Sequence, residues 1–340
     1  MRRVAGWLIA LLGAAACTDP GPAPGATLER VRVPPGATVT AVAESLHAHG
    51  VITDRRRFRL TARLRRLDRS LQAGVYDFRR GERMDIVLAA LATGQTAALR
   101  FTVPEGITLA ELAALAEAQL GMSADSIVAA AARVAAEGIL GEPSTSLEGF
   151  LLPETYTLPV EPTAELLVRA MADGFKGAWR PEWDARLDTL GMTRRQAVTL
   201  ASIVEGEARV QSERATIAGV YHNRLRQRMP LQADPTVQYA IQIATGRRKP
   251  RLYIRDYRFP SPYNTYLHPG LPPGPISSPG LASIEATLHP ADVPWLYFVA
   301  RGDGSHEFSR TYREHVNAIN LIRGERGAGS GERDSAADGT

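Results

Sequence analysis

The residue best placed to do chemistry is Glu205, in the stretch Glu205-Gly206-Glu207. It lies near the end of the run T-R-R-Q-A-V-T-L-A-S-I-V-E-G-E-A-R-V from Thr193 to Val210. A carboxyl can act as general acid and base when its surroundings keep the proton in play near neutral pH. Thr193 and Gln196 have capping-box spacing, so a helix is expected to start there. On a wheel of about 100° per residue, Ala197, Val198, Ala201, Val204 and Ala208 share one stripe. Glu205 falls inside that stripe, roughly 50° from its centre. An acid on an apolar face is costly unless it is paired, neutralised or used. Held neutral, Glu205 could protonate a leaving oxygen. The plainer reading is a structural Glu paired with Arg209 or with an Arg of the next helix. Glu207 falls near the stripe's edge with more access to water, so Glu205 is the candidate acid.

Polar partners follow downstream. Met229–Tyr239 (M-P-L-Q-A-D-P-T-V-Q-Y) offers Gln232 and Asp234. Ser261–Pro279 (S-P-Y-N-T-Y-L-H-P-G-L-P-P-G-P-I-S-S-P) offers Asn264 and Tyr266 on a stiff Pro/Gly loop. Long loops of this kind in folded domains are usually functional. All four side chains are candidates for holding a polyhydroxylated ligand, against a plain role in bracing the loop. Glu148 and Glu154 are also candidates, though loop acids more often cap or turn the chain. No phosphate loop, H-E-x-x-H or G-x-S-x-G is present. His222, His268, His289, His306 and His315 lack ligand spacing. Neither a metal nor a cofactor is expected, and Ser202 lacks an evident base.

The elements that must position these groups read as α+β. Val33-Pro34-Pro35-Gly36-Ala37-Thr38 and Val103-Pro104-Glu105-Gly106-Ile107-Thr108 each suggest a strand, a turn, a Thr cap and a helix. A second echo pairs Tyr76-Asp77-Phe78 with Tyr156-Thr157-Leu158, each ahead of a helical pattern. A recurring strand–helix unit follows, too few copies for a solenoid. Helices are expected over Leu109–Ala136, Leu166–Trp179, Pro181–Leu190, from the Thr193 cap, over Glu213–Arg226, after Asp234, over Leu281–Leu288 and over Thr311–Arg323. A strand is expected over Trp295–Ala300. Arg55–Arg69 carries eight arginines with Phe58, Leu60, Leu64 and Leu67 interleaved. That pattern reads as a helix with a solvated basic face, or one turned to phospholipid headgroups or wall carboxylates.

Length and charge set the frame. At 340 residues the chain can hold two or three domains, and a net charge of +4 is too small to argue for nucleic acid. Arg2 and Arg3 precede an apolar run, Val4–Ala16, that is too short for a comfortable span and reads as an export signal. Cys17 is the only cysteine, which excludes an internal disulfide and leaves lipidation or an uncleaved anchor open. Thr18–Ala26 is a Pro/Gly linker.

These motifs resemble the endolytic murein transglycosylases of the YceG-like family. The resemblance rests on A-S-I-V-E-G-E-A at 201–208, E-R-A-T-I-A-G-V-Y-H-N-R-L at 213–225 and M-P-L-Q-A-D-P-T-V-Q-Y at 229–239. It continues through Y-N-T-Y-L-H-P-G-L-P-P-G-P-I-S-S-P-G at 263–280 and the stretch 289–309. It implies cleavage inside peptidoglycan glycan strands, between MurNAc and GlcNAc and without water, to leave 1,6-anhydroMurNAc ends and terminate strand growth. It places the acid/base on Glu205 and gives the V-P-P-G-A-T stretch to a LysM-like module. The expected layout is a signal or anchor at 1–17, a linker at 18–27, the LysM-like module at 28–100, a catalytic α+β domain at 101–323 and a disordered tail at 324–340. The implied place is the outer side of the cell membrane, held by the N-terminal segment. Glycan strands are the implied partner, with peptidoglycan synthases as candidates. The competing readings are a water-using muramidase and a non-catalytic wall-binding lipoprotein.

Overall fold

A computed structural model describes residues 21–67, 70–138 and 144–335, with side chains up to residue 324. The expected signal, Cys17 and the last five residues lie outside the described residues. The chain runs twice through one order of elements. The first pass is β1 (Leu28–Val33), α1 (Val39–Ala48), α2 (Arg55–Leu64), β2 (Gly74–Arg79) and α3 (Met84–Thr93). The second is β3 (Ala98–Thr102), α4 (Leu109–Leu120), α5 (Ala124–Ala136), β4 (Thr155–Pro159) and α6 (Ala164–Ala178). The likeness extends to single bonds. Thr38 and Thr108 each cap the following helix through the side chain. Gly36 and Gly106 take left-handed φ of 71° and 74° in the turns before those caps, a conformation that favours glycine. Tyr76 donates to the Gln72 carbonyl at 2.7 Å, and Tyr156 to the Leu152 carbonyl at 2.6 Å.

Among the described residues the strands form three two-stranded sheets, β1–β2, β3–β4 and β5–β6, so the class is α+β. β1 and β2 are antiparallel, with Leu28 opposite Arg79 and Val33 opposite Gly74. One compact unit takes the chain up to Leu99 together with Leu158–Glu161. Its core joins Val31 and Val33 of β1, Leu46 of α1, Phe58 of α2, Tyr76 of β2 and Leu88 and Leu91 of α3.

The second unit holds Arg100–Thr157 and the chain from Pro162 onward. Beyond α6 come α7 (Pro181–Leu190), α8 (Arg194–Glu207), α9 (Arg214–Arg226), α10 (Asp234–Thr245) and α11 (Leu281–Leu288). They are followed by β5 (Tyr297–Ala300), β6 (His306–Ser309) and α12 (Tyr312–Ser335). The capping box of Thr193 and Gln196 starts α8 as the spacing predicts. α8 packs on α9, α10 and α11, and every residue from Ala197 to Val204 is buried. Leu200, Ile203 and Val204 of α8 meet Ile217 and Tyr221 of α9 in the core. Two details differ from the sequence reading. β6, only four residues long, was not expected. α12 continues to Ser335, where the residue pattern ends the helix at Arg323 and the glycines at 324, 327, 329 and 331 disfavour it.

Candidate active site

α8 ends with its two acids facing apart, since two residues turn a helix by about 200°. Glu205 faces α11. Its Oε2 accepts from the Gly280 amide at 3.0 Å and from the Ser283 hydroxyl at 2.8 Å, and its Oε1 from Arg214 at 3.2 Å. Gly280 is the N-cap of α11 and has no side chain to cap with, so Glu205 satisfies that helix end. The ion pair is shielded, with the Glu205 side chain 8% exposed and that of Arg214 15%. Glu105 completes the cluster at 3.7 Å from Arg214. Burial, with the negative charge of Glu205, pushes the Glu105 carboxyl up. The Glu105 carboxylate packs so closely on Gly280 that a Cβ there would meet it at 1.9 Å. Glu205 therefore sits in a shielded joint with its donors, beside the half-exposed Glu105.

Glu207 faces the other way, into a cleft of about 390 Å³ lined by Tyr221, Gln232, Asp234, Tyr257 and Tyr266, with His306 and His315 at the same cleft. It accepts from the Tyr221 hydroxyl at 3.0 Å. Burial pushes its carboxyl up to about 7, assisted by the negative charge of Asp234 and opposed by the Tyr221 hydrogen bond. Asp234 is fixed in turn, its Oδ1 accepting from Tyr266 at 2.7 Å and its Oδ2 from Tyr257 at 3.3 Å. Burial, then the Asp234 charge, pushes both of those phenols up, so they remain donors. Arg224 anchors the floor. It donates to the carbonyls of Leu296 at 2.6 Å and Leu231 at 2.8 Å. Gln232 adopts φ 49°, a left-handed backbone uncommon for a residue with a side chain.

Gly206 lets the two helices meet. A Cβ there would lie 2.7 Å from Cβ of Pro235, in the first turn of α10. Gly206→Ala is expected to push α8 from α10, costing about 1–3 kcal/mol of stability and disturbing the Glu207–Asp234 placement. Denaturant unfolding beside activity checks it, and an unchanged midpoint would contradict the close approach.

Of the four side chains predicted to hold ligand, Gln232, Asp234 and Tyr266 line the cleft. Asn264 does not. It is fully buried, donates to the carbonyls of Tyr257 and Phe259 and accepts from the Tyr266 amide, so its part is to shape the loop. Glu205 is absent from the cleft wall, and Glu207, set aside on the wheel, is the acid that faces it. The wheel does not separate the two acids by the cleft, because every residue from Ala197 to Val204 is buried and an apolar stripe there does not mark the side of the pocket. Tyr221, Arg224 and Tyr257 were not picked from the sequence. Ser202 is structural: it donates to the Thr199 carbonyl and accepts from the Ile276 amide. Glu154 is exposed.

Glu148 also lies away from the cleft. It accepts from the Leu109 amide at the start of α4 and from Tyr239 at 3.2 Å. Burial pushes it up to about 7. A carboxyl raised on folding is stabilising below its unfolded value, and that contribution is lost as pH rises through the folded one. Stability should thus fall between about pH 4.5 and 7, by on the order of 3 kcal/mol from this group. Glu148→Gln is expected to flatten that fall in urea unfolding at pH 5 and pH 8.

Among the described residues no group of three or more His, Cys, Asp or Glu could hold a metal ion, and no helix is long and apolar enough to cross a membrane. A profile of the YceG-like family matches residues 31–321. The chain belongs to the YceG-like family. A protein of Bacillus subtilis named endolytic murein transglycosylase is 32% identical over 86% of this chain and 84% of its own length. One of the same name from Streptococcus pneumoniae is 28% identical over 85% of this chain and 58% of its own length, so the YceG-like chain spans little more than half of that relative. The crystal structure of a YceG-like protein from Listeria monocytogenes superposes with a TM-score of 0.58 at 30% identity, covering 86% of this chain and 99% of that one.

Proposed function

We propose that this chain is a peptidoglycan lytic transglycosylase, cutting MurNAc–GlcNAc bonds within glycan strands, and that Glu207 is its acid and base. The observation that carries the assignment is a half-buried carboxyl facing a polar, tyrosine-lined cleft with its proton held to about pH 7. The relatives named endolytic murein transglycosylase support the reaction class.

In this reading protonated Glu207 donates to the glycosidic oxygen as the bond to the MurNAc anomeric carbon breaks. The resulting carboxylate then accepts the proton of the C6 hydroxyl on the same sugar, whose oxygen closes the 1,6-anhydro ring. The hydroxyl is already held at high effective concentration, so one acid/base is enough. A water-using glycosidase would need a second carboxylate free to act. Asp234 is tied to two phenols, which suits it to tuning Glu207 and orienting those hydroxyls. Gln232, Tyr257 and Tyr266 are assigned to sugar hydroxyls and acetamides. Glu205 acts as the strut of α11. The first unit is assigned to glycan binding as a LysM-like module. The N-terminal segment is assigned to holding the folded body on the outer side of the membrane, where a cut inside a nascent strand ends its growth.

Digestion of purified glycan strands with end-group mass spectrometry tests the reaction. Anhydro ends are expected, and reducing ends would overturn it. The pH profile tests the tuning. With the Asp234 charge gone, Glu207 ionises at lower pH, so Asp234→Asn should move the alkaline fall of kcat/KM to lower pH. An unmoved limb would remove Asp234 from that role.

A further inference from the structure

One face of α2 is exposed among the described residues. Phe58 and Ala62 point into the first unit's core. On a wheel of about 100° per residue they lie near 200° and 240° when Arg56 is set at zero. Leu60 and Leu64 lie near 40° and 80°, diametrically outward, and are 58% and 75% exposed. Arg56 and Arg63 border the leucines on one side and Arg57 on the other, all exposed, and Arg65 and Arg66 follow at the helix end. Among the described residues, the acids that contact α2 are already engaged. Glu44 pairs with Arg55, and Asp54 caps α2 by accepting from the amides of Arg56 and Arg57. Among the described residues Arg63, Arg65 and Arg66 have no salt bridge. Two adjacent outward leucines framed by arginines are unusual for a merely solvated helix, where outward positions are polar. Apolar side chains centred in a basic rim match the boundary between anionic headgroups and acyl chains. In the sequence, Arg2, Arg3 and the apolar run Val4–Ala16 precede β1, the first strand of this unit.

We propose that the outward face of α2 rests on an anionic phospholipid surface, with Leu60 and Leu64 dipping past the headgroups and the arginines binding their phosphates. Glycan carboxylates would match the arginines but leave the leucines without a partner. The inference does not depend on the acid/base assignment.

Hydroxyl-radical footprinting of the full chain in nanodiscs reads the exposure of Leu60 and Leu64 directly, whatever the leader does. In phosphatidylglycerol nanodiscs their modification is expected to fall several-fold relative to phosphatidylcholine nanodiscs, and high salt should restore it. Each arginine near such a surface is worth roughly five-fold in partition. The exposed triple variant Arg56→Ser, Arg63→Ser, Arg65→Ser should therefore lose the protection while its thermal unfolding stays that of the wild type. Equal modification in both lipids would overturn the proposal. So would protection that soluble glycan strands produce without lipid.

Discussion

Glu207→Gln is expected to lower the release of anhydro-ended glycan by roughly 10³-fold, the scale of losing a general acid and base. The amide keeps the shape and can still accept from Tyr221 while lacking a proton to give. Folding should survive, because the change removes a carboxyl that burial and the Asp234 charge disfavour in ionised form. The loss should appear in kcat, since the proton moves only in the transition state. Glu205→Gln is the matched control. That side chain is two residues away in sequence but faces Arg214 and α11, so catalysis by the folded protein should persist. If the two variants behave the other way round, Glu205 is the acid and the cleft has been misread.

The second large effect is on stability. Glu205→Ala removes an ion-pair partner from a shielded joint, leaving the Gly280 amide and the Ser283 hydroxyl without this acceptor and Arg214 with only Ser283 Oγ and the more distant Glu105. Breaking a buried pair from one side costs about 3–5 kcal/mol. Glu105, already 3.7 Å from Arg214, can take over part of the guanidinium's charge, so the lower end of that range, about 3 kcal/mol, is expected. Arg214→Ala should cost at least as much, because it leaves Glu205 and Glu105 facing each other. Urea unfolding of both variants checks this, and losses below about 1 kcal/mol would mean that the joint behaves as an exposed surface pair.

Local structure was largely legible because it depends on local rules. Thr38, Thr108 and Thr193 cap helices where their spacing placed them, and the doubled strand–helix order is visible from the two V-P-x-G turns. The direction of the acids was not legible. A wheel separates apolar from polar faces only where one side of the helix meets water, and α8 meets α9, α10 and α11. What distinguishes Glu207 from Glu205 is which helix each meets, Asp234 at the start of α10 or Gly280 and Ser283 at the start of α11. That is tertiary information. One local clue existed: the glycine between the acids is the residue that lets Pro235 close on α8. Asn264 shows the same limit, since a polar loop residue looks alike whether it reaches outward or braces the loop from within.

The most direct measurement is an NMR titration of the Glu207 side-chain carboxyl in the intact protein, assigned by its absence in Glu207→Gln. The account predicts a midpoint near 7, falling in Asp234→Asn. A midpoint in the ordinary glutamate range, around 4.3, would contradict it.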